Sequence, residues 1–222
     1  MARRVGAVKT FIALWQCHEK LYYSIFYEAL KRLEIDDDRR KNEDAISEAL
    51  CPVLYDVCFE HSQDVIIPDW EKPIQPVLKE ELKGGKVRKR PDFSCNLINS
   101  SPDCTRETYL IPFHVECKRL GDTAGSWNLN KNYVTNGIKR FDCKSHEYSK
   151  RAPSGMMVGY IVSMEPTLIL EKVNNYLPDK LQKLGFAFKK KVVTCEQKLM
   201  RKEVKPEEFK LIHLWTELRK CR

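Results

Sequence analysis

The chain has 222 residues, of which 42% are hydrophobic and 32% charged, and its formal net charge is +8. That length carries one domain with a sizeable core. The composition excludes a disordered or fibrous chain, and no apolar stretch is long enough to cross a membrane.

The N-terminus, Met1-Ala2-Arg3-Arg4, is basic, but Gln16, His18, Glu19 and Lys20 break the apolar run that follows. No signal peptide is expected. From Val8 to about Leu33 there is neither proline nor glycine, and apolar side chains crowd the stretch, so a long helix is predicted. A second helix is predicted from about Asn42 to Glu60. There Ile46, Leu50, Val53, Leu54 and Val57 recur with helical spacing, while Pro52 should kink or split it. Val65-Ile66-Ile67 reads as a strand ending at Pro68, and a loop rich in Pro and Gly follows.

Phe93, Cys95 and Leu97 alternate with Asp92, Ser94 and Asn96, the pattern of a half-buried strand. After a turn over 100–106, Leu110 to Lys118 alternates again, with Ile111, Phe113, Val115 and Cys117 on one face and His114, Glu116 and Lys118 on the other. A helix is predicted from about Asn130 to Phe141, a buried strand over Met156 to Met164 and a helix over Leu168 to Leu184 interrupted by Pro178. Short apolar runs at 186–188, Val192-Val193 and 211–214 complete the pattern as late strands. The order of elements implies an α/β fold with helices packed on a central mixed sheet.

The nine cysteines are odd in number, form no CxxC pair and in several cases sit among apolar neighbours. Free thiols in a reducing, cytoplasmic compartment are expected, not a disulfide framework, and no Cys/His cluster has the spacing of a structural zinc site. Charge is distributed in runs: acidic at Asp36 to Asp38, basic at Lys83, Lys86, Arg88, Lys89 and Arg90, and basic again at Lys189 to Lys191. Each run is either a solvated loop or a surface for a polyanion.

The text with chemical content is Arg90-Pro91-Asp92-Phe93 followed by Phe113-His114-Val115-Glu116-Cys117-Lys118. Strand alternation turns Glu116 and Lys118 to the same side with an apolar backing. If the strand of Asp92 is adjacent, its carboxylate converges on Glu116. Two carboxylates suit Mg²⁺, a hard ion that keeps several waters; such an ion polarises a phosphate and acidifies a bound water. Lys118 is placed to orient that water or to stabilise developing negative charge. His114 shares this face and either borders the site or is a satisfied structural histidine.

With Pro91-Asp92 and Glu116-Cys117-Lys118, the chain resembles the PD-(D/E)XK nucleases, over roughly Asn42 to Met164. The resemblance implies a restriction-endonuclease-like mixed sheet in a nuclease domain over 41–222, with residues 1–40 a helical extension packed on it. It also implies a Mg²⁺-dependent, Mn²⁺-tolerant DNA nuclease of restriction or anti-phage defence, the metal held by Asp92, Glu116 and the Cys117 carbonyl. Such nucleases often add an acid from the helix before the sheet. Of Glu43 and Glu48, Glu43 falls on the apolar, sheet-facing side and is preferred, although an acid in a first helical turn is also favoured by the macrodipole. A helix after the ExK strand usually tracks the substrate, and here Tyr133, Asn136, Gly137 and Arg140 are spaced to share a face. Lys86, Arg88 and Lys89 are candidates for backbone contact. Expected partners are double-stranded DNA and a homodimer mate or a separate targeting or sensor protein, with no membrane. The competing readings are an RNase or structure-specific nuclease on the same fold, and a catalytically silent binding module.

Overall fold

The computed structural model describes residues 10–61, 65–79, 81–82 and 89–220. Helix α1 spans Phe11–Arg32 and α2 spans Glu43–His61. Thr10 starts α1 by accepting from the Ala13 amide, and Asn42 starts α2 by accepting from the Asp44 amide at 3.0 Å. Pro52 does not split α2, contrary to expectation: it stands on the exposed side, where the carbonyl that its missing N–H would have bonded can be hydrated.

Strands follow as β1 (Asp69–Trp70), β2 (Phe93–Ile98), β3 (Leu110–Leu120), β4 (Ser154–Ile161), β5 (Val192–Met200) and β6 (Glu208–Glu217). They form a six-stranded sheet in the order β1-β2-β3-β4-β6-β5. β3, β4 and β6 run parallel, and β1, β2 and β5 attach antiparallel. The fold is therefore α/β with a mixed sheet flanked by helices, as the order of elements implied.

Each strand sends alternate residues to opposite layers. Phe93, Cys95, Phe113, Val115, Cys117, Met156, Val158 and Ile212 pack under α1 and α2. Leu120, Met157, Leu211 and Trp215 pack on the other side, against the segment after β3 and against α4 (Pro166–Tyr176). The N-terminal helix belongs to the first of these layers: Trp15, Ile25, Phe26 and Leu30 are buried there, and Trp15 Nε1 donates to Ser154 Oγ at 3.0 Å. Gly159 lets the second layer close, since a β-carbon there would stand 2.5 Å from Leu120 and 2.6 Å from Trp215.

Three expectations change. Val65 to Ile67 is not a strand; Ile66 and Ile67 are exposed, and only Asp69–Trp70 pairs with the sheet. Residues 186–188 are not a strand either: Phe186 and Phe188 turn their rings onto Trp215 instead. The helix after β3 is regular only over Leu129–Asn132 (α3); it widens into a π turn over Tyr133–Gly137 and tightens into a 3₁₀ turn over Ile138–Asp142. Pro178 does end α4 early. Among the described residues, no helix is long and apolar enough to cross a membrane.

Candidate active site

The register of β2 against β3 pairs Phe93 with Val115, which brings Asp92 beside Glu116 at the mouth of the sheet. Asp92 stands just before β2, partly open to solvent, and its Oδ2 accepts from the Cys117 amide. Glu116 is fully buried. Its Oε1 takes two cations, Lys118 Nζ at 2.7 Å and the guanidinium of Arg140, while its Oε2 has no hydrogen-bond partner among the described residues. Lys118 Nζ reaches further, to Glu43 Oε1 at 2.7 Å and to the Cys117 carbonyl at 2.6 Å. The second oxygen of Glu43 accepts from the Arg119 amide at 2.9 Å.

Of the two candidate helix acids, Glu43 reaches Lys118 and Glu48 is exposed. Glu43 reaches Lys118 because it is the first residue of α2, whose start lies over the end of β3. Lys118 is covered by the π turn. Gly137 makes that close approach possible, since a β-carbon there would stand 2.5 Å from Met157 Cε and 3.4 Å from Lys118 Cγ.

Three carboxylates therefore meet two cations in a buried volume. Burial, then the neighbouring Asp92, pushes Glu116 up to about 8 against the pull of Lys118 and Arg140. Burial pushes Asp92 up to about 6, opposed by Lys118 and by the Cys117 amide. Burial works against the charge on Lys118 too, but Glu116, Asp92 and Glu43 outweigh it and hold the ammonium charged. The common cause is burial of carboxylates close together, which Lys118 and Arg140 only partly offset.

A bare buried carboxylate oxygen beside a second carboxylate fits a divalent cation with hard oxygen ligands, which would favour the charged form of both acids. Among the described residues no three His, Cys, Asp or Glu side chains form a metal cage. The donors here are two carboxylates, Asp92 and Glu116, which is the set Mg²⁺ takes when water and substrate oxygens complete its shell. The Cys117 carbonyl, the third ligand implied by the resemblance, is engaged by Lys118.

The structure brings Asp92, Glu116, Cys117, Lys118 and Glu43 together and disperses the expected substrate helix. Tyr133 is completely buried and cannot touch a substrate: its hydroxyl lies 2.7 Å from His213 Nδ1 and accepts from Trp215 Nε1 at 2.9 Å. Asn136 is exposed, with its amide bonded to Asn132. Arg140 turns inward to Glu116 and lies over the Tyr148 ring at 5.9 Å. The shared face failed because the π turn rotates each later residue away from its α-helical direction. Lys86 and Arg88 lie outside the described residues. Lys89 is half-buried and its carbonyl accepts from Ile74 N at 3.1 Å.

Two features had no signal in the sequence. One is Arg140 as a carboxylate partner. The other is the tie between His114 and Ser149: Ser149 N donates to His114 Nδ1 at 2.8 Å, and His114 N donates to Ser149 Oγ at 3.1 Å. No family model, no curated protein and no solved structure matches this chain.

Proposed function

We propose that this chain is a Mg²⁺-dependent nuclease that hydrolyses phosphodiester bonds of DNA. The observation that carries the reading is the buried, unpartnered Oε2 of Glu116 beside Asp92, with Lys118 held on the same face. Asp92 and Glu116 would hold the ion, with Mn²⁺ able to replace it. When bound, the ion supplies polarisation of the phosphate and a more acidic water.

The rest falls to the chain's own groups. Lys118 keeps its proton and presents an ammonium where negative charge develops on the attacked phosphate. Glu43 orients that ammonium from the opposite side and is a positioning residue. Arg140 is a bidentate-capable cation at the rim of the site, suited to a phosphate oxygen. Lys86, Arg88 and Lys89 would supply cations to the backbone of the substrate. Free thiols throughout the described residues suit a reducing cytoplasmic compartment. A role in restriction or phage defence, with a homodimer mate or a targeting protein, follows from the motif resemblance alone.

The test is a cleavage assay on plasmid, linear duplex and single-stranded substrates. Cleavage is expected in Mg²⁺ or Mn²⁺ and is expected to vanish in chelator, in Ca²⁺ and in Glu116→Ala. Full activity in chelator, or wild-type cleavage by a folded Glu116→Ala protein, would overturn the reading. Hydrolysis of RNA in preference to DNA would select the RNase reading on the same residues.

A further inference from the structure

A cleft opens beside the candidate site, on the same face of the sheet. Its floor is made by Ser94 and Asn96 of β2 and His114 of β3, with Ser94 directly opposite His114 in the register. His114 precedes Glu116 by two residues on one strand, so the cleft and the carboxylates are about 7 Å apart along β3. Pro112 of β3 lies on the same floor, directly opposite Asn96, and Ile74 and Pro76 in the loop after β1 add apolar lining. The cavity volume is about 100 Å³.

The chemistry of the lining says what it would take. Each cation at the rim is already neutralised: Lys72 by Asp69 at 2.7 Å, Lys150 by Glu81 at 3.0 Å and Glu147 at 3.1 Å, and Arg151 by Glu81. A phosphate therefore gains little here compared with the Arg140 end of the site. The floor offers neutral groups instead. His114 accepts at Nδ1, which leaves its ring proton on Nε2 as a donor. Ser94 and Asn96 add a hydroxyl and an amide. Neutral donors and acceptors on the floor, with Ile74, Pro76 and Val77 in the lining, suit the polar edge and apolar faces of one planar heterocycle.

The part of the lining supplied by residues 147–151 is held in place. Glu147, Ser149 and Arg151 all adopt left-handed backbone, with φ of 54°, 51° and 72°. Such conformations persist only where surroundings enforce them. Here the enforcement is the pair of bonds between Ser149 and His114, the Arg151–Glu81 pair, and the buried guanidinium of Arg201, which donates to the Tyr148 carbonyl at 3.3 Å and the Ser149 carbonyl at 3.4 Å. The recess is formed in advance of any ligand.

We propose that this cleft receives an unpaired nucleobase of the strand being cut, one nucleotide from the scissile phosphate. A recess receives a unit that protrudes, whereas reading a duplex groove takes an element that projects into it. A base enters such a slot from single-stranded substrate or after being turned out of its stack. The inference rests on the nuclease reading and narrows its substrate to one with an unpaired nucleotide beside the cut.

Two measurements test it. The first is calorimetric titration of the full chain with each of the four deoxynucleoside 5′-monophosphates and with 2-deoxyribose 5-phosphate. At least one nucleotide is expected to bind tenfold or more tightly than the sugar phosphate. Ile74→Trp, which fills the slot, and Asn96→Leu, which removes floor polarity, are each expected to erase that difference. Equal binding with and without the base, or a base preference that survives both folded variants, would overturn the proposal. The second is cleavage in Mg²⁺ of a single-stranded oligonucleotide in which one abasic residue is moved past the cut. A tenfold or greater loss is expected at one position adjacent to the scissile phosphate, and uniform rates would overturn the proposal. A protein that cuts nothing yet binds nucleotides in a base-dependent way would refute the nuclease reading and leave the cleft assignment standing.

Discussion

Glu116 and His213 sit in the same row of the sheet, on either side of Met157, about 10 Å apart. Both are fully buried on the same face, and both anchor polar clusters. Around His213 every group is neutral and the hydrogen bonds close. Trp215 donates to the Tyr133 hydroxyl, that hydroxyl donates to His213 Nδ1, His213 Nε2 lies 3.3 Å from Gln197 Oε1, and Gln197 Nε2 donates to the Gln182 carbonyl at 2.6 Å. Around Glu116 the groups are charged, acids outnumber cations and one oxygen is bare. Two polar networks at equal depth differ in whether their demands are met internally. A closed network serves the fold, and an open one awaits something from outside.

The largest expected effect breaks the open cluster at its centre. Glu116→Ala should lower cleavage on the order of 10³-fold, the scale of losing one preorganised charge contact. The two cations it leaves, Lys118 and Arg140, still face Asp92 and Glu43, so the variant should stay folded. A variant that unfolds would place Glu116 with the structural cluster instead. Lys118→Ala separates the two clusters differently. It strips Glu116 and Glu43 of their shared ammonium and should cost about 3–5 kcal/mol of stability along with activity, read from urea denaturation.

Tyr133→Phe is the matching break in the closed cluster. Loss of one hydroxyl leaves the Trp215 N–H and His213 Nδ1 unpaired, at a cost of about 1–3 kcal/mol. Cleavage measured well below the melting temperature should stay within about twofold, as surface and structural changes away from a site normally do. A hundredfold loss would return Tyr133 to the substrate.

The smallest effect sharpens the comparison through pH. Burial lowers His213 to about 3 from its ordinary 6.5. The unfolded chain therefore binds a proton that the folded chain refuses between those values, so this histidine's contribution is complete above pH 6.5 and is lost as pH falls toward 3. At pH 5 the loss is about 2 kcal/mol. His213→Gln should flatten the fall in stability between pH 7 and pH 5 by that amount, and an unchanged slope would mean that other groups govern it.

The alternation of Leu110 to Lys118 sorted one strand's residues into an apolar face and a chemical face without any knowledge of its neighbours, because side chains on a strand alternate by covalent geometry. The same local rule located Glu43 on the inward side of its helix. Helical spacing failed after β3, because it assumes a regular α-helix and the chain there takes a π turn over Tyr133–Gly137, with Gly137 close against Met157 and Lys118.

What the sequence alone determined is which residues could meet: the element order, the α/β class, and Asp92, Glu116, Lys118 and Glu43 on faces able to converge. Tertiary structure decided which demands were satisfied. Arg140 closed on Glu116, Tyr133 sank into a neutral network, and His114 with Ser149 shaped a cleft from loops distant in the chain. The reason is physical: periodicity is a property of consecutive residues, whereas burial, charge balance and hydrogen-bond closure are properties of whatever else the chain brings to the same place.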